Sequence, residues 1–153
     1  MIPFALAIHT IAAVIWVGGI FFLLVVLRPA SASLGDMTRL TLWRAVLDRF
    51  FHWVWQCIAL LLITGYGVVF FGYDGFASVG LHVHIMQLTG LMMVALFVLL
   101  WTRPWQEFCH ALDRGDTPAA TRALGRLRGF ALANLLLGFF TTVLGAIGAF
   151  LSY

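Results

Sequence analysis

Apolar residues run along this chain in four long stretches separated by short polar connections. The first stretch is apolar from Pro3 to Leu27, except for His9 and Thr10. About 20 consecutive apolar residues cross the hydrocarbon layer of a membrane, so each stretch predicts a membrane-spanning helix. The predicted spans cover residues about 3–27, 50–72, 82–102 and 129–151.

The composition supports the same class of protein. Hydrophobic residues make up 63% of the 153 residues and charged residues only 10%, whereas soluble domains carry roughly 25% charged residues. We therefore expect an all-α integral membrane protein, a single four-helix bundle spanning 1–153. Because the first stretch has full span length and no basic segment before it, we expect a helix that stays in the protein rather than a cleaved signal peptide.

The arginines predict the orientation of this bundle. All nine basic residues are arginines, four in the connection 28–49 and five in the connection 103–128, while the connection 73–81 has Asp74 and no arginine. Cytoplasmic loops are enriched in basic residues, so both arginine-rich connections are expected on the cytoplasmic side. The sequence thus predicts a multi-pass protein of the inner (plasma) membrane with both termini outside the cytoplasm.

Both arginine-rich connections contain helix signals. Asp36 is a plausible helix start, and Leu40, Trp43 and Leu47 follow at helical spacing. We expect this helix to run into the second span. Thr117 followed by Pro118 predicts an N-cap and a first helical residue leading into the fourth span.

Two histidines occupy comparable positions in the first and third spans. Pro29 follows His9 by 20 residues and Pro104 follows His84 by the same 20, each proline preceded by arginine. This match indicates a duplicated helical hairpin, two tandem copies related by a pseudo-two-fold axis along the membrane normal. A histidine inside a span is costly and predicts a functional site. The structural alternative is a polar contact between neighbouring helices.

The start of the third span adds further soft donors. At about 100° per residue, His82 shares a helix face with Met86 and Met93, while His84 points about 200° away from His82. Imidazole together with thioether groups suits copper. The alternative is that the methionines fill the core and that His82 is a solvated interface residue.

Other polar residues predict less. His52 lies near the cytoplasmic end of the second span, where a second site or an interfacial histidine is compatible with the sequence, and Asn134 is expected to hydrogen-bond between helices. Cys57 and Cys109 lie in different environments and predict neither a disulfide nor a metal motif. The charge of +3 is no nucleic-acid signature, so no nucleic-acid partner is expected.

Several motifs resemble the CopD (copper resistance protein D) membrane-domain family. They are His9 with Ala12-Ala13-Val14-Ile15-Trp16-Val17-Gly18-Gly19, Leu27-Arg28-Pro29, Arg49-Phe50-Phe51, Thr64-Gly65-Tyr66, His82-Val83-His84-Ile85-Met86, Pro104-Trp105 and Asn134-Leu135-Leu136-Leu137-Gly138. The resemblance covers nearly the whole chain. It implies a four-helix membrane domain linked to copper uptake or tolerance.

The chain more distantly resembles the HemJ-type protoporphyrinogen oxidases, which bind haem b. The first-span histidine of that family would correspond to His9, and its His-x-Lys motif to His82-Val83-His84. His84 stands where the lysine should be, and the chain has no lysine, which puts that enzymatic activity in doubt.

Two functions follow from these resemblances. One is a CopD-like protein that binds or passes copper between the first and third spans, with His9 and His84 as main ligands and His82 and Met86 as an entrance site. The other is a membrane protein with haem b between His9 and His84, acting as an electron carrier or oxidoreductase. A third option is a structural subunit without a cofactor. Expected partners are the lipid bilayer, the metal ion or haem, a periplasmic copper chaperone or redox partner, and a second copy of the chain.

Overall fold

The computed structural model of the protein describes residues 2–72, 75 and 79–148. Within these residues the structure is helical and contains no strand, which confirms the predicted all-α class. Four continuous helical segments are long and apolar enough to cross a membrane. The predicted end of the fourth span at 149–151 and most of the connection after the second span lie outside the described residues.

The main helices are α1 (Ile2–Phe21), α2 (Asp36–Gly72), α3 (Leu81–Thr102), α4 (Pro104–Asp113) and α5 (Thr117–Gly148).

The first span ends through a change of helical geometry. After α1 the chain forms a π-helical turn, Phe22–Leu27, in which the Arg28 N–H donates to Leu23 O. Pro29 has no N–H to continue the ordinary ladder, so the helix loosens just before it. A short α-helical turn, Arg28–Ala30, and a 3₁₀ turn, Ser31–Ser33, complete the segment.

The second arginine-rich connection is also helical. Pro104 begins α4, where its missing N–H costs nothing. Gly115 then takes a positive φ of 70° between α4 and α5, a conformation that favours glycine. The Asp116 carboxylate accepts a hydrogen bond of 2.9 Å from the Ala119 N–H. Asp116 therefore caps α5, and the prediction that Thr117 does so is wrong because Thr117 is already helical.

The spans pack as two hairpins. Helix α1 packs most extensively on α2, and α3 on α5, while α1 also touches α5. The hairpins meet at the buried ring of Phe97 on α3. Its centroid lies 6.2 Å from Trp16, 5.5 Å from Phe51 and 5.2 Å from Trp55, all edge-to-face. We call these four residues the aromatic junction.

The largest of the fully buried side chains lie at the arginine end. Leu40, Trp43, Phe108 and Leu124 are each at most 2% exposed, and they come from the start of α2, from α4 and from the start of α5. The pairs Arg44–Asp113 and Arg126–Glu107 join these three helices on their outer side. The predicted helix from Asp36 into the second span is confirmed. This helical cap holds the largest fully buried side chains, whereas the spans expose large apolar side chains on their outer faces.

The aromatic junction yields a stability prediction. Phe97→Ala should lower the free energy of unfolding by about 3–5 kcal/mol, since truncating a buried aromatic ring leaves a cavity. Thermal or denaturant unfolding of the purified protein in detergent measures the change. The control is Phe140→Ala, because Phe140 is 51% exposed on α5 and its loss should cost less than about 0.5 kcal/mol. Equal losses for both variants would contradict a structural role for the junction.

Candidate functional site: histidines and methionines at the end opposite the arginines

His9 lies between α1 and α2. Its Nδ1 is 2.9 Å from Thr64 Oγ1. Gly65 makes room for the ring, since a Cβ at that position would lie 3.2 Å from His9 Cε1. The first-span histidine is therefore held by the second helix of its own hairpin, by two consecutive residues.

The hydrogen bonds of Thr64 indicate the tautomer of His9. The Thr64 hydroxyl donates to the Leu60 carbonyl at 2.6 Å within α2. A hydroxyl has one hydrogen, so Thr64 Oγ1 accepts from His9 Nδ1–H. This arrangement leaves Nε2 with its lone pair. Metal-binding histidines use the same arrangement, in which the other ring nitrogen donates a hydrogen bond to a neighbouring group. The sequence shows Thr64 only as part of a family motif and does not reveal this role.

His82 and Met86 lie together between α3 and α5. A Cβ at Gly148 would lie 2.6 Å from His82 Cδ2, and a Cβ at Gly145 would lie 3.0 Å from the Met86 methyl carbon. Both side chains are half-buried. The predicted sharing of one helix face is thus observed, and two glycines of α5 form the opposite wall. Small residues permit this close approach of helices in lipid.

The same interface continues towards the middle of the membrane. Thr89 and Thr141 lie one turn further along, with their hydroxyl oxygens 2.7 Å apart. Beyond them Met93 is buried, and a Cβ at Gly138 would lie 3.3 Å from its methyl carbon. Imidazole, thioether, hydroxyl and thioether groups therefore follow one another along the seam between α3 and α5.

His84 takes a different position from the other two histidines. It is exposed in the first turn of α3, whereas His9 faces α2 and His82 faces α5. The structure brings His82 and Met86 together but gives His9 its own setting in the other hairpin. Within 2–72, 75 and 79–148, no three His, Cys, Asp or Glu side chains are grouped closely enough to hold a metal ion.

The remaining candidates lie elsewhere. His52 is exposed, with Nδ1 2.7 Å from the carbonyl of Asp48 in its own helix, and His110 is exposed on α4. Asn134 is buried beside a cavity of about 30 Å³ that Arg128 also lines. Its Oδ1 has no hydrogen-bond partner in the part of the chain that is described. The hydrogen bond between helices that the sequence predicts for Asn134 is therefore not made by this oxygen within those residues.

The chemistry of the donor set matches copper in its soft state. Imidazole nitrogen and thioether sulfur favour Cu(I) over hard cations, and His82 and Met86 supply one of each, one helical turn apart. A haem between His9 and His84 gains no support from the described contacts, since His9 is held against Thr64 and Gly65.

Comparison with known proteins assigns the chain to a family. No curated protein and no solved structure matches the chain. The family model described as "Copper resistance protein D" matches residues 44–149, which is more than half of the chain and includes His82, His84 and Met86. The resemblance to CopD is thereby confirmed, and the chain belongs to the CopD, or copper resistance protein D, family.

Proposed function

We propose that this protein binds Cu(I) or passes it across the membrane, in copper uptake or tolerance. His82 and Met86 form the entrance site, His84 in the same helical turn contributes from the exposed side, and His9 is a further ligand in the first hairpin. Copper is here the cargo of the protein. The family makes copper the expected metal, and the donors at the mouth of α3 select its soft oxidation state.

The observation that carries this proposal is the pairing of His82 with Met86 against Gly148 and Gly145. Both donors are half-buried at a helix end, next to an interface narrow enough to exclude bulky side chains. Polar groups within a membrane protein are costly and mark pathways for ions or substrates. Met93 and the Thr89–Thr141 pair extend this line of donors inward.

The charge distribution supports entry from that end. All nine arginines lie in the two connections at the opposite end of the bundle. A cation approaching the histidine end therefore meets no fixed positive charge from arginine or lysine. Because the positive-inside rule predicts that the arginine end faces the cytoplasm, we expect the entrance at the other end to face the outside of the inner membrane. A periplasmic copper chaperone would deliver the ion there, or a redox partner would reduce Cu(II) to Cu(I) there. A second copy of the chain is a further partner compatible with the exposed spans.

The first prediction of this proposal concerns copper affinity. His82→Ala and Met86→Leu should each weaken Cu(I) binding more than about tenfold, since even indirect disturbance of a metal ligand costs that much. His84→Ala and His9→Ala should also lower the affinity. Competitive titration of the purified protein against a chromophoric Cu(I) chelator measures these changes.

Matched controls exist for both donor types. Met92→Leu removes a thioether that is 47% exposed on another face of α3, and His110→Ala removes an imidazole on α4. Both should leave Cu(I) affinity unchanged. Equal affinity of wild type and the His82→Ala/Met86→Leu double variant would eliminate the site. If the wild-type protein is red and its low-spin haem b spectrum disappears in His9→Ala, the cofactor is haem and the copper proposal fails.

The second prediction concerns topology. Both termini should lie outside the cytoplasm, because the arginines prefer the cytoplasmic side. Reporter fusions at the C-terminus and at the connection containing Arg114 measure this. Activity of a periplasm-dependent reporter is expected for the first fusion and none for the second. The reverse result would make the entrance site cytoplasmic and overturn uptake through it.

A further inference from the structure

A basic cleft opens at the arginine end of the bundle, away from the copper site. It has a volume of about 430 Å³, within the range of about 300–1,000 Å³ typical of small-ligand sites. Three helical segments each contribute one arginine to its wall. Arg28 comes from the end of the first span, Arg39 from the first turns of α2, and Arg128 from α5.

The positive charge of this basic cleft is only partly neutralised. Arg39 pairs with Asp36 at 2.8 Å, while no ion pair is found for Arg28 or Arg128 among the described residues. The Arg128 guanidinium lies 4.8 Å from the centroid of the Trp43 ring, and its buried Nε has no hydrogen-bond partner in that same part of the chain. Arg28 and Arg39 lie close enough to repel Arg128. An anion in the cleft would relieve this repulsion.

The other side of the basic cleft is apolar. Leu24 and Val25 of the π-helical turn line it. From Val25, which is 50% exposed, the apolar surface continues along the first span over Val26 and Phe22, both also exposed. The cleft therefore joins a cluster of guanidinium groups to a lipid-facing apolar strip. A ligand that matches both parts has a phosphate head and a hydrocarbon tail.

We propose that this basic cleft binds the headgroup of an anionic membrane phospholipid, with Arg28, Arg39 and Arg128 around the phosphate and an acyl chain along Leu24 and Val25. Guanidinium groups bind phosphate oxygens through paired, charge-assisted hydrogen bonds. Basic pockets between membrane helices on the cytoplasmic side favour such headgroups. The inference is independent of copper, and it applies to the leaflet at the arginine end.

Lipid binding to the delipidated protein tests the proposal. Native mass spectrometry with phosphatidylglycerol, cardiolipin and phosphatidylcholine gives the affinity for each lipid, and the melting temperature gives a second readout. The anionic lipids should bind and raise the melting temperature, and phosphatidylcholine should do neither. Arg28→Gln/Arg39→Gln should weaken anionic lipid binding about tenfold or more, because two charge-assisted contacts are lost.

The matched control removes the same charge elsewhere. Arg114→Gln/Arg122→Gln changes two exposed arginines outside the basic cleft and should leave lipid affinity unchanged. Equal losses in the two double variants would mean attraction to the general surface charge and would overturn the site. If inorganic phosphate stabilises the protein as well as the lipid does and displaces it, the ligand is free phosphate and the lipid proposal fails.

A second variant keeps the arginines and fills the apolar wall. Val25→Trp should weaken anionic lipid binding, since an indole would occupy the place of the acyl chain, whereas Val143→Trp should not, because Val143 is 54% exposed on α5 near the opposite end of the bundle. This pair tests the proposal even where the arginine variant folds poorly. Unchanged lipid affinity in Val25→Trp would contradict the assigned position of the chain.

Discussion

The packing of Phe97 against Trp16, Phe51 and Trp55 is the interaction on which the rest of the bundle depends. Lipid tails are as apolar as the side chains that they surround, so helices in a membrane associate through close packing and polar contacts rather than through the hydrophobic effect. Each hairpin has such contacts of its own, His9 with Thr64 and Thr89 with Thr141. Between the hairpins the aromatic junction supplies edge-to-face contacts, a favourable geometry for rings.

The two ends of the protein divide their tasks by charge. The arginine end is a helical cap with a deeply buried core around Trp43 and Phe108, and it carries all nine arginines. The opposite end carries histidine and methionine and no arginine. Under the proposed function, one end would anchor the protein in its leaflet while the other admits a monovalent cation. The glycines of α5 matter for the second role, because they set the width of the interface between α3 and α5 that His82 and Met86 enter.

The sequence predicts the helices well and the contacts of their polar side chains poorly. Length, hydropathy and Arg-Pro signals place the four spans, since the membrane imposes a minimum length on each. The cap of α5 was misassigned because Asp116 and Thr117 are both good N-cap residues, and only the backbone shows which one precedes the helix. The sequence predicts that Asn134 bonds across helices, but its buried Oδ1 has no hydrogen-bond partner among the described residues.

The histidines show the same limit. Equal spacing to Arg-Pro relates His9 to His84 in the sequence. In the structure, however, His82 is the histidine that resembles His9, because each lies against a glycine of the helix it packs on. Spacing along one helix cannot show how that helix is rotated towards its neighbours. The face shared by His82 and Met86 could be predicted, because helical periodicity alone determines it. Whether His9 and His84 act on one metal ion stays a prediction.

X-ray absorption at the copper K-edge tests the central claim most directly, because it identifies the atoms bound to the metal. For the Cu(I)-loaded protein we predict imidazole nitrogen and sulfur among the nearest neighbours of copper, and loss of the sulfur signal in Met86→Leu. Cys57 and Cys109 also carry sulfur, and both remain in the Met86→Leu variant. A sulfur signal that persists unchanged in Met86→Leu, or a wild-type spectrum with nitrogen and oxygen neighbours alone, would contradict the proposed His82–Met86 copper site.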